Sequence, residues 1–379
     1  MSTVVLAFDS FKGSVSAEKL TGRLVCHLHG LFPAWRILSF PIADGGEGTL
    51  EMLARHLPVR RILCQVHGPM MERMSASYIV IPDGTVVVET AAASGLPLVE
   101  PALRNPMETT TLGTGELIRD ALKRGYRKFV LGLGGSATND AGMGVMHALG
   151  ARYYDVEGKE LQPVGKNLLE VARIDTSKLC PELRHASFVL ACDVTNLFYG
   201  EQGAAMVYAP QKGALPEQVL QLDAGLRSYA AVLLRERNCD VSQIAGAGAA
   251  GGMGGGLLPF LQAELKSGIN ILLDVVKFDE ALREADLVLT GEGKIDRQTM
   301  MGKAVSGVLK RALAHGVPVI GLGGCVEDEE LLKRQGFAAL ASIHPGGTPL
   351  EEAMREEVTL RHLCDTAERM VREKLGVVC

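Results

Sequence analysis

The chain has 379 residues, 47% of them hydrophobic and 22% charged, with a formal net charge of -5. That length predicts two cores rather than one, in an ordinary globular chain rather than a disordered or fibrous one. A mild excess of acid with no run of Lys or Arg excludes a nucleic-acid binder, and no apolar stretch approaches the ~20 residues of a membrane span.

The N-terminus has no basic leader pattern and runs directly into a strand. The eight cysteines are scattered without a C-x-x-C, so they read as reduced thiols of a cytoplasmic protein. The histidines form no zinc-ligand spacing, and no structural zinc is expected.

Val4–Phe8 is the first apolar, β-branched run. Ser16 then reads as an N-cap with Glu18 in the first turn, and Leu20, Leu24 and Leu28 follow at helical spacing until Gly30 and Pro33. Ile37–Ile42 is a second strand, and residues 60–90 read as antiparallel strands with turns at Gly68-Pro69 and Pro82-Asp83-Gly84. Gly115–Gly125 places Leu117, Ile118, Ala121 and Leu122 on one helix face. Phe129–Leu133, Phe188–Ala191, Leu287–Leu289 and Val317–Leu322 are later strands. The alternation predicts an α/β fold: a Rossmann-like domain with a mostly parallel sheet (1–60 plus 280–379) and an inserted second α/β domain containing a mixed sheet (61–279). "VLGLGGSATND" and "VIGLGGCVEDE" echo one another and read as two turns of the same strand-to-loop kind.

Chemistry collects after the strands. Asp9, Ser10 and Lys12 follow the first, and Asp44, Gly45, Gly46 and Glu47 the second. Gly134, Gly135, Ser136, Asn139 and Asp140 follow the strand ending at Leu133. Asp193, Thr195 and Asn196 follow Ala191, and Glu292, Lys294 and Asp296 follow Leu289. A lone Asp after a strand is more often a cap or turn former, and a lone lysine a solvated one. Five such ends together predict a cleft, because ligands of open α/β sheets bind outside the carboxyl ends of the strands. Glycine loops before helices suit an anion, as do Gly134-Gly135-Ser136 and "AGAGAAGGMGGG" with Gly251 and Gly252. Phosphate beside acids implies magnesium, and the set with Lys12, Lys212 and Lys294 points to phosphoryl transfer. No G-x-x-x-x-G-K-[ST] is present. Gly132, Gly134 and Ala137 with Asp155 support an alternative, an NAD-dependent oxidoreductase acting on a small hydroxy acid. A non-catalytic phosphosugar-binding module would use the glycines but not the acids.

Ten blocks in order, among them "FDSFKGSVSAEKL", "PIADGGEGTLEML", "TTLGTGELIRDAL", "GLGGSATNDAGMG", "ACDVTN", "APQKGA", "GAGAAGGMGGGL" and "LVLTGEGKIDRQT", resemble the bacterial type-1 glycerate kinases. The likeness runs from Val4 to the C-terminal helix. It implies two α/β domains with the site between them, and ATP-dependent, magnesium-dependent phosphorylation of D-glycerate, usually to 2-phosphoglycerate. ATP and D-glycerate are then the expected partners, and a homodimer is left open. Ala141, Met71 and Leu197-Phe198 depart from the family pattern: Met71 suggests a different turn, and Ala141 is expected to be tolerated at a helix start.

The expected roles follow the strand ends. Asp193 is the preferred base, with Asp9 and Lys12 beside it and Lys12 on the glycerate carboxylate. Glu292 with Asp296, or Asp44 with Glu47, hold magnesium. Gly134, Gly135, Ser136 and the glycine loop cradle phosphate or substrate.

Overall fold

Three strands in the N- and C-terminal parts of the chain are apolar almost without interruption. Thr3–Phe8 is buried from Val4 onward, and Leu287–Gly291 and Val319–Gly323 are buried throughout. Such runs belong in a parallel sheet covered on both faces, where neither side of the pleat meets water. In the computed structural model, which describes residues 2–11, 13–42, 58–300 and 304–376, they form the centre of such a sheet. Its order is Arg36–Ser39, Thr3–Phe8, Leu287–Gly291, Val319–Gly323, Ala339–Ser342, with every pairing parallel.

Numbered along the chain, that order is 2-1-3-4-5. It is the flavodoxin-like variant of the doubly wound sheet, with its switch point between the first and third strands. The residues just past those two ends are Asp9-Ser10 and Glu292-Gly293. The helix Ala17–Leu31 covers the sheet with Leu20, Leu24 and Leu28, joined in one core by Leu363, Ala367 and Val371 of the helix Glu356–Leu375. Ser16 caps the first helix, its Oγ accepting from Lys19 N at 3.4 Å. That helix runs through Gly30 to Leu31, one residue further than the glycine suggested.

These segments make one compact unit, Met1–Gly45 with Ile269–Cys379; Gly46–Gly268 makes the other. The second unit has a six-stranded mixed sheet in the order Gln262–Lys266, Ser187–Ala191, Lys128–Gly132, Val86–Glu89, Arg73–Val80, Arg60–His67. The first four strands are parallel, and the last two are added antiparallel. Phe129, Leu131, Phe188 and Leu190 form its core with Leu117 and Leu122 of the helix Leu112–Lys123.

Two departures from the family pattern fall where the backbone is left-handed. Met71 has φ 67° and Ala141 φ 50°. The turn at Gly68–Glu72 thus has a left-handed residue at Met71, a conformation that favours glycine, and is closed by Gly68 N to Glu72 O at 2.7 Å. Ala141 precedes the helix Met143–Ala148, with Gly142 also left-handed, so it carries strain instead of sitting at a neutral helix start. A left-handed non-glycine residue costs about 1–2 kcal/mol.

Met71 is 43% exposed, so little packing opposes removal of its side chain. Met71→Gly is expected to raise the thermal midpoint by about 2–4 °C in differential scanning calorimetry. A lowered midpoint would show that the side chain, not the backbone, governs this turn.

Candidate functional site

In the first unit the switch point opens onto a cavity of about 360 Å³. Ser10, Glu292, Gly293, Lys294 and Gly324 line its polar side. Asp9 is buried behind Ser10: its backbone N–H donates to Gly291 O at 2.9 Å, and its Oδ1 accepts from Ser10 N at 2.6 Å. Thr299 Oγ1 donates to Glu292 Oε1 at 2.6 Å. Lys294 Nζ lies 3.0 Å from Glu327 and 3.5 Å from Asp296. Burial pushes the Asp296 carboxyl up, but the Gln298 and Thr299 amides and Lys294 outweigh it, and it sits below the usual range. Asp296 Oδ1 accepts from Gln298 N at 2.8 Å, so this acid organises the turn that follows the strand Lys294–Ile295.

Sequence reasoning missed the remaining walls. Cys325–Val326 pairs in parallel with Lys294–Ile295, which brings the second "GLGG" echo to the cavity. His344 lines it and is pinned by His362, with the two Nδ1 atoms 3.0 Å apart. Burial first, then His362, holds the His344 pKa below its usual value. The echo was the one available signal. Lys12, Asp44, Gly45, Gly46 and Glu47 lie outside the described residues.

The second unit gathers a different set. Asp140 is fully buried and accepts four hydrogen bonds: Oδ2 from Thr111 N and Oγ1, both at 2.8 Å, and from Gly144 N at 3.2 Å, and Oδ1 from Gly142 N at 3.1 Å. Burial pushes its pKa up against those donors. Lys212 is 4% exposed, and its Nζ donates to Ser136 Oγ at 2.9 Å and Thr138 O at 2.7 Å. Burial pushes Lys212 down to about 7, with Asp140 opposing. Asn139 is fully buried beside them, and neither polar atom of its side chain bonds to protein among the described residues. An orphaned buried amide is rare and points to an occupant.

The glycine-rich stretch packs onto this cluster. In the helix Ala249–Gly256 the residues Ala250, Gly251 and Gly252 are left-handed. A Cβ on Gly251 would lie 2.1 Å from Thr138 O, and one on Gly256 1.8 Å from Ala141 O. Two backbones therefore touch where any side chain would part them. Phe198, one of the family departures, is fully buried and closes on Gly252 and Gly255.

Gly134 and Gly135 do not lead directly into a helix as expected. Ser136 is held in a bridge to Gly95, Ala137 N donates to Ser94 O at 2.9 Å, and the next helix starts only at Met143. Asp193 is exposed, with Oδ1 accepting from Gly268 N at 2.8 Å. Thr195 is exposed, and Asn196 is held by Tyr208 Oη at 2.5 Å and by its own Nδ2 donating to Gln202 O at 3.0 Å. Asp155, the acid that a dinucleotide site would need, follows a strand of a separate two-stranded antiparallel sheet. Its Oδ1 accepts from Glu157 N and Lys159 N, both at 2.9 Å, so it is a turn former.

Among the described residues no three His, Cys, Asp or Glu side chains group as a metal cage. Glu292 and Ser10 both line the cavity, and a carboxylate with a hydroxyl is a donor set of the kind magnesium takes when it arrives with phosphate and keeps its waters. No described helix is long and apolar enough to cross a membrane.

Comparison with known proteins gives a single picture. The sequence model of the glycerate kinase family matches residues 4–374. The chain is 43% identical over 372 residues to a glycerate kinase of Bacillus subtilis (strain 168), covering 98% of this chain and 96% of that one. It is 41% identical over 354 residues to a glycerate 2-kinase of Escherichia coli (strain K12), covering 93% of each. A crystal structure of a protein provisionally named glycerate kinase 2, from Salmonella typhimurium LT2, superposes with a TM-score of 0.82 at 40% identity, covering 98% of this chain and 99% of that one.

The buried lysine sets a pH dependence. The folded state releases the Lys212 proton near pH 7, while the unfolded chain keeps it to the ordinary lysine value of about 10.4. The unfolded state therefore holds more protons across that window, and this group's contribution to stability rises with pH through it. Between pH 7 and 9, wild type is expected to gain about 2 kcal/mol relative to Lys212→Met in urea unfolding. Parallel pH profiles for the two proteins would contradict a depressed lysine.

Proposed function

The chain belongs to the glycerate kinase family, and on that premise we propose that it transfers the γ-phosphoryl group of ATP to D-glycerate, giving 2-phosphoglycerate, with magnesium. One observation carries the reading: the family match over residues 4–374 takes in every acid-ended strand, in both units. The oxidoreductase alternative is set aside, because the family is a kinase family and Asp155 is spent on a turn.

Phosphoryl transfer asks the protein for positioning and for neutralisation of charge. Asp193 is the proposed base. The Gly268 amide fixes one of its oxygens, which orients the carboxylate toward a hydroxyl. The C2 hydroxyl oxygen of glycerate forms a bond to Pγ, the bond from Pγ to the ADP oxygen breaks, and the hydroxyl proton passes to Asp193. Substrate anions are assigned to Lys12 with Ser10, and to Lys212 with Ser136 and Asn139. The second assignment rests on the buried Lys212 amine and the orphaned amide. Asp140 is proposed to hold that loop in shape and Asp9 to hold Ser10, rather than to touch substrate.

Glu292 is the described acid proposed to hold magnesium, with Asp44 and Glu47 as the other acids proposed, and Asp296 is proposed to position Lys294 instead. Magnesium supplies neutralisation of the phosphate charge.

Phosphorus NMR of a reaction with Mg-ATP and D-glycerate is expected to show 2-phosphoglycerate. A 3-phosphoglycerate signal would correct the product, and absence of turnover would overturn the substrate. Asp193→Asn is expected to lower kcat by about 10²–10⁴ with the fold intact. Near-normal turnover would remove Asp193 as the base.

A further inference from the structure

The cavity of the first unit also has an apolar lining. Phe11, Leu350, Ala353 and Met354 line it together with Ser10, Glu292, Gly293 and Lys294, at a volume of about 360 Å³. D-glycerate carries an oxygen on each of its three carbons, so it has no apolar surface to lay against such a wall. A cavity within the ~300–1,000 Å³ range of small-molecule sites, apolar with a few convergent polar groups, suits a larger ligand with one flat apolar part and one charged part.

We propose that this cavity seats the phosphoryl donor, a magnesium nucleotide, with its base against Met354 and Leu350 and its phosphates toward Gly293, Gly324 and Lys294. The assignment deepens the kinase reading and rests on it for the identity of the nucleotide.

Four observations support it. The cavity lies at the switch point of the 2-1-3-4-5 sheet, where the loops after the first and third strands diverge and leave a crevice. Among the described residues the lining carries Glu292 and Lys294, and Lys294 is already paired with Asp296 and Glu327, so a phosphate that brings its own magnesium suits the site better than a naked one. The apolar wall is also built to stay in place. Ser14 Oγ lies 2.7 Å from Thr359 Oγ1, and Thr359 Oγ1 donates to Ala353 O at 2.9 Å, which ties the loop after the first strand to the start of the helix Glu356–Leu375. His344, with Nδ1 engaged by His362, offers its other ring nitrogen as a polar contact for the edge of a base.

The test uses Mg-ADP and needs no turnover. Leu350 is 77% exposed, so Leu350→Asp changes the cavity wall without a charge entering the core. Met354→Trp fills the apolar side. Both are expected to weaken Mg-ADP binding in isothermal titration calorimetry by about tenfold or more. In the assay, KM for ATP should rise in step while KM for D-glycerate stays within about twofold. Unchanged Mg-ADP affinity in both variants, or a rise in KM confined to D-glycerate, overturns the assignment. The two readings separate cleanly. Variant-sensitive Mg-ADP binding in a protein that leaves D-glycerate unphosphorylated keeps the nucleotide seat and removes the substrate. Turnover of D-glycerate with variant-insensitive Mg-ADP binding removes the seat and keeps the kinase.

Discussion

A carboxylate removed from water must be met by donors, and in the second unit Asp140 is met by four, from Thr111, Gly142 and Gly144. Each bond to a charged group contributes roughly 1.5–3 kcal/mol, whereas an ionised acid left without them would be driven to its neutral form. The requirement shapes everything nearby. It draws the start of the helix Leu112–Lys123 onto the strand-end loop, and it fixes the turn that leads into Met143–Ala148. It also leaves Ser136 and Thr138 O directed at Lys212. The glycine segment can then close over Thr138 and Ala141 only because it has no side chains at the contact. The strain at Ala141 is the local cost of that closure.

The first unit solves a different problem. Its central parallel strands are buried on both faces, so the chemistry offered to a ligand lies in the loops that follow their carboxyl ends. The reversal of strand order between Thr3–Phe8 and Leu287–Gly291 spreads the two loops there. An acid and a lysine, Glu292 and Lys294, share the lining with the thioether and aliphatic groups of Met354, Leu350 and Ala353, which makes a cavity with two chemistries. A phosphoryl donor needs both, because its charge must be neutralised and its base must be held away from water. Lys294, itself half-exposed, is held near Asp296 and Glu327, which restricts where its ammonium points.

Most of the fold could be read from the residues. Unbroken apolar runs gave the central parallel strands, and Ser16 with Leu20, Leu24 and Leu28 gave the first helix and its buried face. The paired turns around Gly68 and Gly84 gave the antiparallel ribbon. The family blocks carried the activity, since several long motifs in order are far more specific than any one glycine pattern. The site was less legible. Asp9, Asp140, Asp193 and Asp296 look alike along the chain, each an acid near the end of a strand, yet they are respectively a buried loop anchor, a fully buried hub, an exposed carboxylate and the organiser of a turn.

The sequence by itself determined the central strands of both main sheets, which loops carry charge, and the family to which the chain belongs, because these depend on residue types and their spacing. The edge strands Gln262–Lys266 and Ala339–Ser342, which lack a β-branched apolar run, came only with the fold. Only the tertiary structure decided what each charged group does. Asp140 takes two of its donors from Thr111, 29 residues away, and the wall of the cavity joins Ser14 to Thr359 across 345 residues. Desolvation and hydrogen bonding belong to a neighbourhood rather than to a residue, and a neighbourhood exists only once distant parts of the chain have packed together.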